Sequence, residues 1–187
     1  MKGGTIVKRF GLAFVWIAAA LLALSAAGCG KNVPREPPQL TVVCTAGEFP
    51  AQRGNFTWDV MKRGSEVGNG VIACGSDPLT WKFEPVPLWE RETVRFAFPE
   101  GMEPDGLLTG SFYLVKDGKV DEKNPLGVSV RTVPGGKTAE GERMYGYFDA
   151  IYGTEGIYVL RASWNRPRWR GTCEYAFAVT CIDPGGN

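Results

Sequence analysis

Histidine is absent from all 187 residues of this chain. Its absence removes Ser-His-Asp and Cys-His nucleophile arrangements, imidazole acid–base catalysis, and histidine-ligated zinc or haem. Catalysis would fall to carboxylates, lysine, tyrosine or a free cysteine. Net charge is nearly absent too: 21 basic against 20 acidic residues leave +1. Lys2, Lys8 and Arg9 are the only charges before Cys29, so residues 29–187 hold 18 basic and 20 acidic groups, a balance of −2. That balance gives nucleic acid no electrostatic footprint, and none is expected as a partner. After residue 28 there are no long Ala/Leu/Glu/Lys windows, no internal repeat, no Cys-x-x-Cys pair and no EF-hand spacing. No cofactor, metal or catalytic residue is expected.

The most informative feature present lies at the N-terminus. Lys2, Lys8 and Arg9 precede an apolar run from Phe10 to Ala27, which ends in Ala26-Ala27-Gly28-Cys29. A basic start, an apolar middle and small residues before a cut site are the parts of a secretory signal. The tail resembles the lipobox of bacterial lipoproteins, with Ala26 where that motif usually has leucine. The resemblance implies a signal peptide over 1–28, cleavage before Cys29 and a diacylglyceryl group on its sulfur. The chain would then sit at the cell membrane, lipid-anchored on the extracytoplasmic face. Each buried acyl methylene contributes about 0.8 kcal/mol to such an anchor. An uncleaved helix is the alternative, because the run borders on the roughly 20 residues that spanning requires; plain secretion is another.

Residues 29–38 read as the lipidated cysteine and an extended tether. In a polyproline II conformation, about nine residues would hold the body roughly 28 Å from the lipid. Residues 39–187 suit one domain. Short alternating runs bounded by Gly, Pro, Asn and Asp predict strands over 40–45, 55–61, 70–74, 93–98, 110–115, 126–132, 143–149, 156–164 and 172–182. Tyr158, Leu160, Ala162 and Trp164 share one face, as do Cys173, Tyr175, Phe177, Val179 and Cys181. Val94, Phe96 and Phe98 repeat the pattern, and so do Leu126, Val128 and Val130. The expected fold is all-β, an antiparallel β-sandwich of immunoglobulin-like architecture. Asp117-Gly118 predicts a type I′ hairpin turn.

Cys44, Cys74, Cys173 and Cys181 remain besides Cys29. An even count in an exported chain predicts two disulfides. Cys173 and Cys181 are roughly 26 Å apart if their segment is a strand, against the 4.4–6.8 Å or so that a bridge needs. Each would then pair with Cys44 or Cys74, in either order.

Arg53-Gly54-Asn55-Phe56-Thr57-Trp58 is similar to a Gly-Ser-Tyr-Cys-Trp-type signature in small lipoproteins of Firmicutes. The run from Gly156 to Trp164, followed by Tyr175-Ala176-Phe177, resembles the closing strands of that group. Thr57 stands where the signature often has cysteine. The resemblance implies an exported β-domain and brings no catalytic residues.

The hairpin end formed by Trp164, Arg166, Arg168, Trp169 and Arg170 is the candidate binding patch. Three arginines between two tryptophans suit a carboxylate, a phosphate or an anionic glycan. The plainer alternative is a solvated turn whose arginine stems cover the indole rings. Glu84, Glu90, Glu92, Glu100 and Glu103 gather in sequence near Trp81 and Trp89, but no spacing marks a glycosidase pair. The expected function is a non-catalytic binding or structural module with an envelope protein or glycan as ligand. An inhibitor or regulator of an exported enzyme is the alternative, and a carboxylate-based hydrolase ranks last.

Overall fold

Alternation of apolar and polar residues is realised as strand through most of the described chain. The structure, a computed structural model, describes residues 33–61, 68–74, 77–89, 92–106, 108–132, 143–149 and 154–182. The expected signal peptide, Cys29, Glu90 and residues 133–141 lie outside them. In chain order the strands are β1 (Thr41–Cys44), β2 (Gly47–Pro50), β3 (Gln52–Met61), β4 (Gly68–Ala73), β5 (Val86–Trp89), β6 (Thr93–Phe98) and β7 (Thr109–Lys116). They continue as β8 (Lys119–Val120), β9 (Leu126–Ser129), β10 (Arg131–Thr132), β11 (Arg143–Asp149), β12 (Gly156–Arg166) and β13 (Trp169–Ile182). One 3-10 turn, Pro78–Thr80, interrupts them.

The strands form a five-stranded sheet, ordered β10-β11-β6-β1-β2, and an eight-stranded one built on β4-β3-β13-β12-β7-β8. β9 adds to β7, and β5 runs parallel to β13 where β3 has ended. Phe98 of the first sheet meets Trp164 and Tyr175 of the second with ring centroids 5.8 and 5.9 Å apart, and Phe96 meets Phe177 at 6.2 Å. These contacts define a β-sandwich, with antiparallel sheets packed face to face as the alternation predicts. Val94, Phe96, Phe98, Tyr158, Leu160, Ala162 and Tyr175 are all fully buried between them.

Pro87 lies inside a strand because β13 flanks only one of its sides. Its carbonyl meets the Cys44 thiol instead, so the missing N–H falls on the side away from the ladder. Leu126 departs from expectation. β9 extends the sheet beyond the edge of the core, and this side chain is 41% exposed.

The domain begins earlier than residue 39: Pro34–Asn187 is one compact unit. The Trp58 indole donates to the Pro34 carbonyl at 2.9 Å, and the Tyr175 hydroxyl donates to that of Pro38. Arg53 binds the Glu36 carboxylate at 2.7 Å and the Pro37 carbonyl at 2.9 Å, and Gln39 donates to the Ala51 carbonyl at 2.6 Å. Residues 34–38 are therefore fastened to the sandwich instead of serving as a free spacer.

The two expected disulfides are replaced by four free thiols. Cys173 is in register with Phe56 of β3, and Phe56 with Ala73 of β4. Cys74, the next residue, is thus about two strand spacings away, roughly 10 Å, and alternation turns it to the other face. β5 separates the other two: Cys181 is in register with Leu88, while Cys44 touches the Pro87 carbonyl on the far side. Cys173 and Cys181 lie on one unbroken strand, as expected.

Candidate functional site: a trough on the eight-stranded sheet

The hairpin tip does not present its tryptophans. Trp164 and Trp169 continue the inward parity of β12 and β13 and are only 3% and 8% exposed. With Trp58 they form a cluster whose ring centroids lie 5.1 to 6.4 Å apart. The Trp164 indole donates to the Met102 carbonyl at 2.9 Å. Pro167-Arg168 makes a two-residue turn between the paired Arg166 and Trp169; the proline ring fixes its φ and excludes the left-handed type I′ form. At the other tight hairpin, Asp117 and Gly118 have φ of 51° and 71°, matching the expected type I′ turn.

The arginines of the expected patch are divided. Arg166 pairs with Asp105 at 3.0 Å and donates to the Glu103 carbonyl at 3.0 Å, fixing the 99–106 loop to the hairpin. Arg170 pairs with Asp59 at 3.3 Å, and Arg168 is exposed at the turn. A ring of three arginines stacked on two indoles is not what these residues build, since alternation sends the indoles to the core.

The outward residues of the same strands build a different feature. Across β4, β3, β13 and β12, Ile72, Thr57, Thr172 and Ser163 stand in one register row. Two residues along, Gly70, Asp59, Arg170 and Asn165 stand in another. Between them run Val71, Trp58, Gly171 and Trp164; the two indoles point into the core and leave mainly backbone as a floor. On the core side, a Cβ on Gly171 would strike the Thr57 carbonyl and the Trp58 ring, so only glycine lets β3 and β13 approach this closely. The resulting trough encloses about 450 Å³. Three strand spacings make it roughly 14 Å long, and its walls are one pleat repeat, about 6.7 Å, apart.

Its exposed lining is mostly apolar, with hydroxyl, amide and charged groups at the rim. The Thr57 and Thr172 hydroxyls are 3.1 Å apart, and Asp59 balances Arg170. Asp59 Oδ1 is shielded from solvent and has no hydrogen-bond partner among the described residues. Arg170 belongs to the patch that the sequence points to; Thr57, Asp59, Ser163 and Thr172 are ordinary outward positions in sequence, and only the register of four strands collects them.

A second polar centre lies at the other end of β13. Glu92, 9% exposed, accepts from the Thr45 amide through Oε1 and from the Trp89 amide at 2.9 Å through Oε2. Burial pushes its carboxyl up, but the hydrogen bonds from Thr45 and Trp89 outweigh burial and hold it below the ordinary 4.5. Both oxygens are committed to the backbone, so Glu92 acts as a clasp between two turns. Burial, aided by the Glu92 charge, pushes the Cys44 thiol up. Burial, the largest cause, pushes Cys173 up to about 12 and makes it a core thiol. Near the Asp117-Gly118 turn, the Asn124 amide bonds both Asp121 oxygens, at 3.1 and 3.2 Å. Among the described residues no three His, Cys, Asp or Glu side chains group as metal ligands, and no helix is long and apolar enough to cross a membrane.

No protein-family model, curated protein or solved structure matches the chain, so the site rests on its own geometry.

Proposed function

We propose that this chain is a lipid-anchored, extracytoplasmic binding module without catalytic chemistry, and that its ligand is an envelope glycan laid across the trough. The trough is the observation that carries this reading. It has the length of an extended oligomer, a mostly apolar lining, and a rim of hydroxyl, amide, carboxylate and guanidinium groups. An apolar lining takes the carbon face of a sugar chain, and the rim groups bond its vicinal hydroxyls and acetamido groups. The lack of histidine and the structural commitment of Glu92 support binding over hydrolysis. The anchor is supported by the lipobox-like tail at Cys29.

Co-sedimentation of the full chain, in detergent, with purified peptidoglycan sacculi tests the ligand. The wild type is expected to pellet, and Thr172→Arg, which fills the trough from an outward position, is expected to stay in solution. Equal pelleting of the two removes the trough as the site; no pelleting of the wild type removes the glycan. Intact-mass analysis of wild type against Cys29→Ser tests the anchor, which an unmodified N-terminus at Met1 would rule out.

A further inference from the structure

The outermost strands differ in one respect that bears on association. β2 has four residues and carries Glu48 and Pro50; β8 and β10 have two residues each and carry Lys119 and Arg131. β9 has four, between Pro125 and the bend into β10. Short length, charge and proline are the devices that stop edge strands from recruiting other strands. β4 has none of them. Gly68-Asn69-Gly70-Val71-Ile72-Ala73 is six residues long and has neither charge nor proline; Cys74 after it is also uncharged. It pairs only with β3 among the described residues. Val71 is 50% and Ile72 73% exposed.

We infer that β4 pairs antiparallel with β4 of a second copy of this chain, about a two-fold axis at Val71. In that register Val71 faces its symmetry mate, Ile72 of each copy faces Gly70 of the other, and Cys74 faces Gly68. The steric match is specific to self-pairing. The space around a Cβ at Gly70 is empty, so the most exposed apolar side chain of one copy enters the most open position of the other, twice. The absence of charge removes the like-charge opposition that a two-fold imposes on a charged strand. The trough also gains from the pairing: Ile72 and Gly70 form its outer end, so two troughs would meet across the axis and continue as one groove. This inference does not depend on what the trough binds. Six paired residues make a contact smaller than a standard stable interface, so affinity in solution falls in the micromolar-to-millimolar range and rises where copies share a surface.

Site-directed cross-linking of the full chain in detergent, in a Cys74→Ser background, reads the register. With copper phenanthroline and dissolved oxygen, Val71→Cys is expected to give a disulfide-linked dimer. Asn69→Cys is expected to give none, because its symmetry mate lies about four residues along the strand, roughly 13 Å away. Adding Ile72→Lys at the largely exposed Ile72 keeps the fold, checked by near-UV circular dichroism, and is expected to cut Val71→Cys cross-linking about tenfold. Equal cross-linking at positions 69 and 71, no cross-linking at 71, or indifference to Ile72→Lys would each overturn the pairing.

Discussion

At the Trp169 end of β13, Trp58, Trp164, Trp169 and Phe98 pack ring against ring, with indole donors closing on carbonyls. Toward the Ile182 end, where β5 adds to the strand, two neighbouring turns are joined through one carboxylate, Glu92, with amides on both oxygens. The first end is held by apolar area and dispersion, which do not titrate. The second is held by charge-assisted hydrogen bonds, which exist only while Glu92 is ionised. One sandwich therefore has a pH-indifferent end and a pH-dependent end.

The comparison is broken most forcefully at the aromatic end. Trp58→Ala removes the ring that touches both other tryptophans and also the donor to Pro34. It is expected to lower unfolding free energy by about 3–5 kcal/mol, equally at pH 7 and pH 4, as read from urea denaturation. A loss below 1 kcal/mol would mean the cluster does not hold this end.

Glu92→Gln comes next, at about 1–3 kcal/mol near neutral pH, because it turns an amide donor toward a backbone donor. Its pH dependence sharpens the contrast. The folded carboxyl lies below its ordinary 4.5, so its contribution is fully present above that value and is lost as pH falls through the lower folded value. The gap between wild type and Glu92→Gln is expected to narrow as pH falls below 4.5. A gap that stays constant through acid titration would contradict the clasp.

Asp105→Ala tests an ion pair at the aromatic end. The Arg166–Asp105 pair is over a third exposed on the arginine side, so the expected loss is about 0.5–1 kcal/mol, shrinking with added salt. Smallest of all is Thr57→Val on the outward face, expected to change stability by less than about 0.5 kcal/mol while weakening sacculus binding. A large stability loss there would make the threonine ladder structural.

Much of the fold was legible in residue alternation. The limits of β6 and β11 coincide with the expected 93–98 and 143–149, and the inward faces of β12 and β13 hold through Val179. The missed strands are those whose local signal argues against them. β5 contains Pro87, tolerated only because one side of the strand faces no ladder, and β2 is four residues ending in proline. Trp164 and Trp169 carry the same parity as Tyr158 and Tyr175, so their burial was already readable; arginines in the turn drew attention to the wrong side of the strand. The trough and the Glu92 clasp were not legible, because register across four strands and the meeting of two turns are tertiary facts.

The docked segment from Pro34 to Gln39 has a mechanical consequence. If the chain is held at Cys29, tension reaches the sandwich at this segment. Its hydrogen bonds run to Arg53 and Trp58 of β3, to Ala51 just before it, and to Tyr175 of β13. A pull is thus delivered to the middle of the eight-stranded sheet and shared among several bonds, instead of peeling an outer strand one bond at a time.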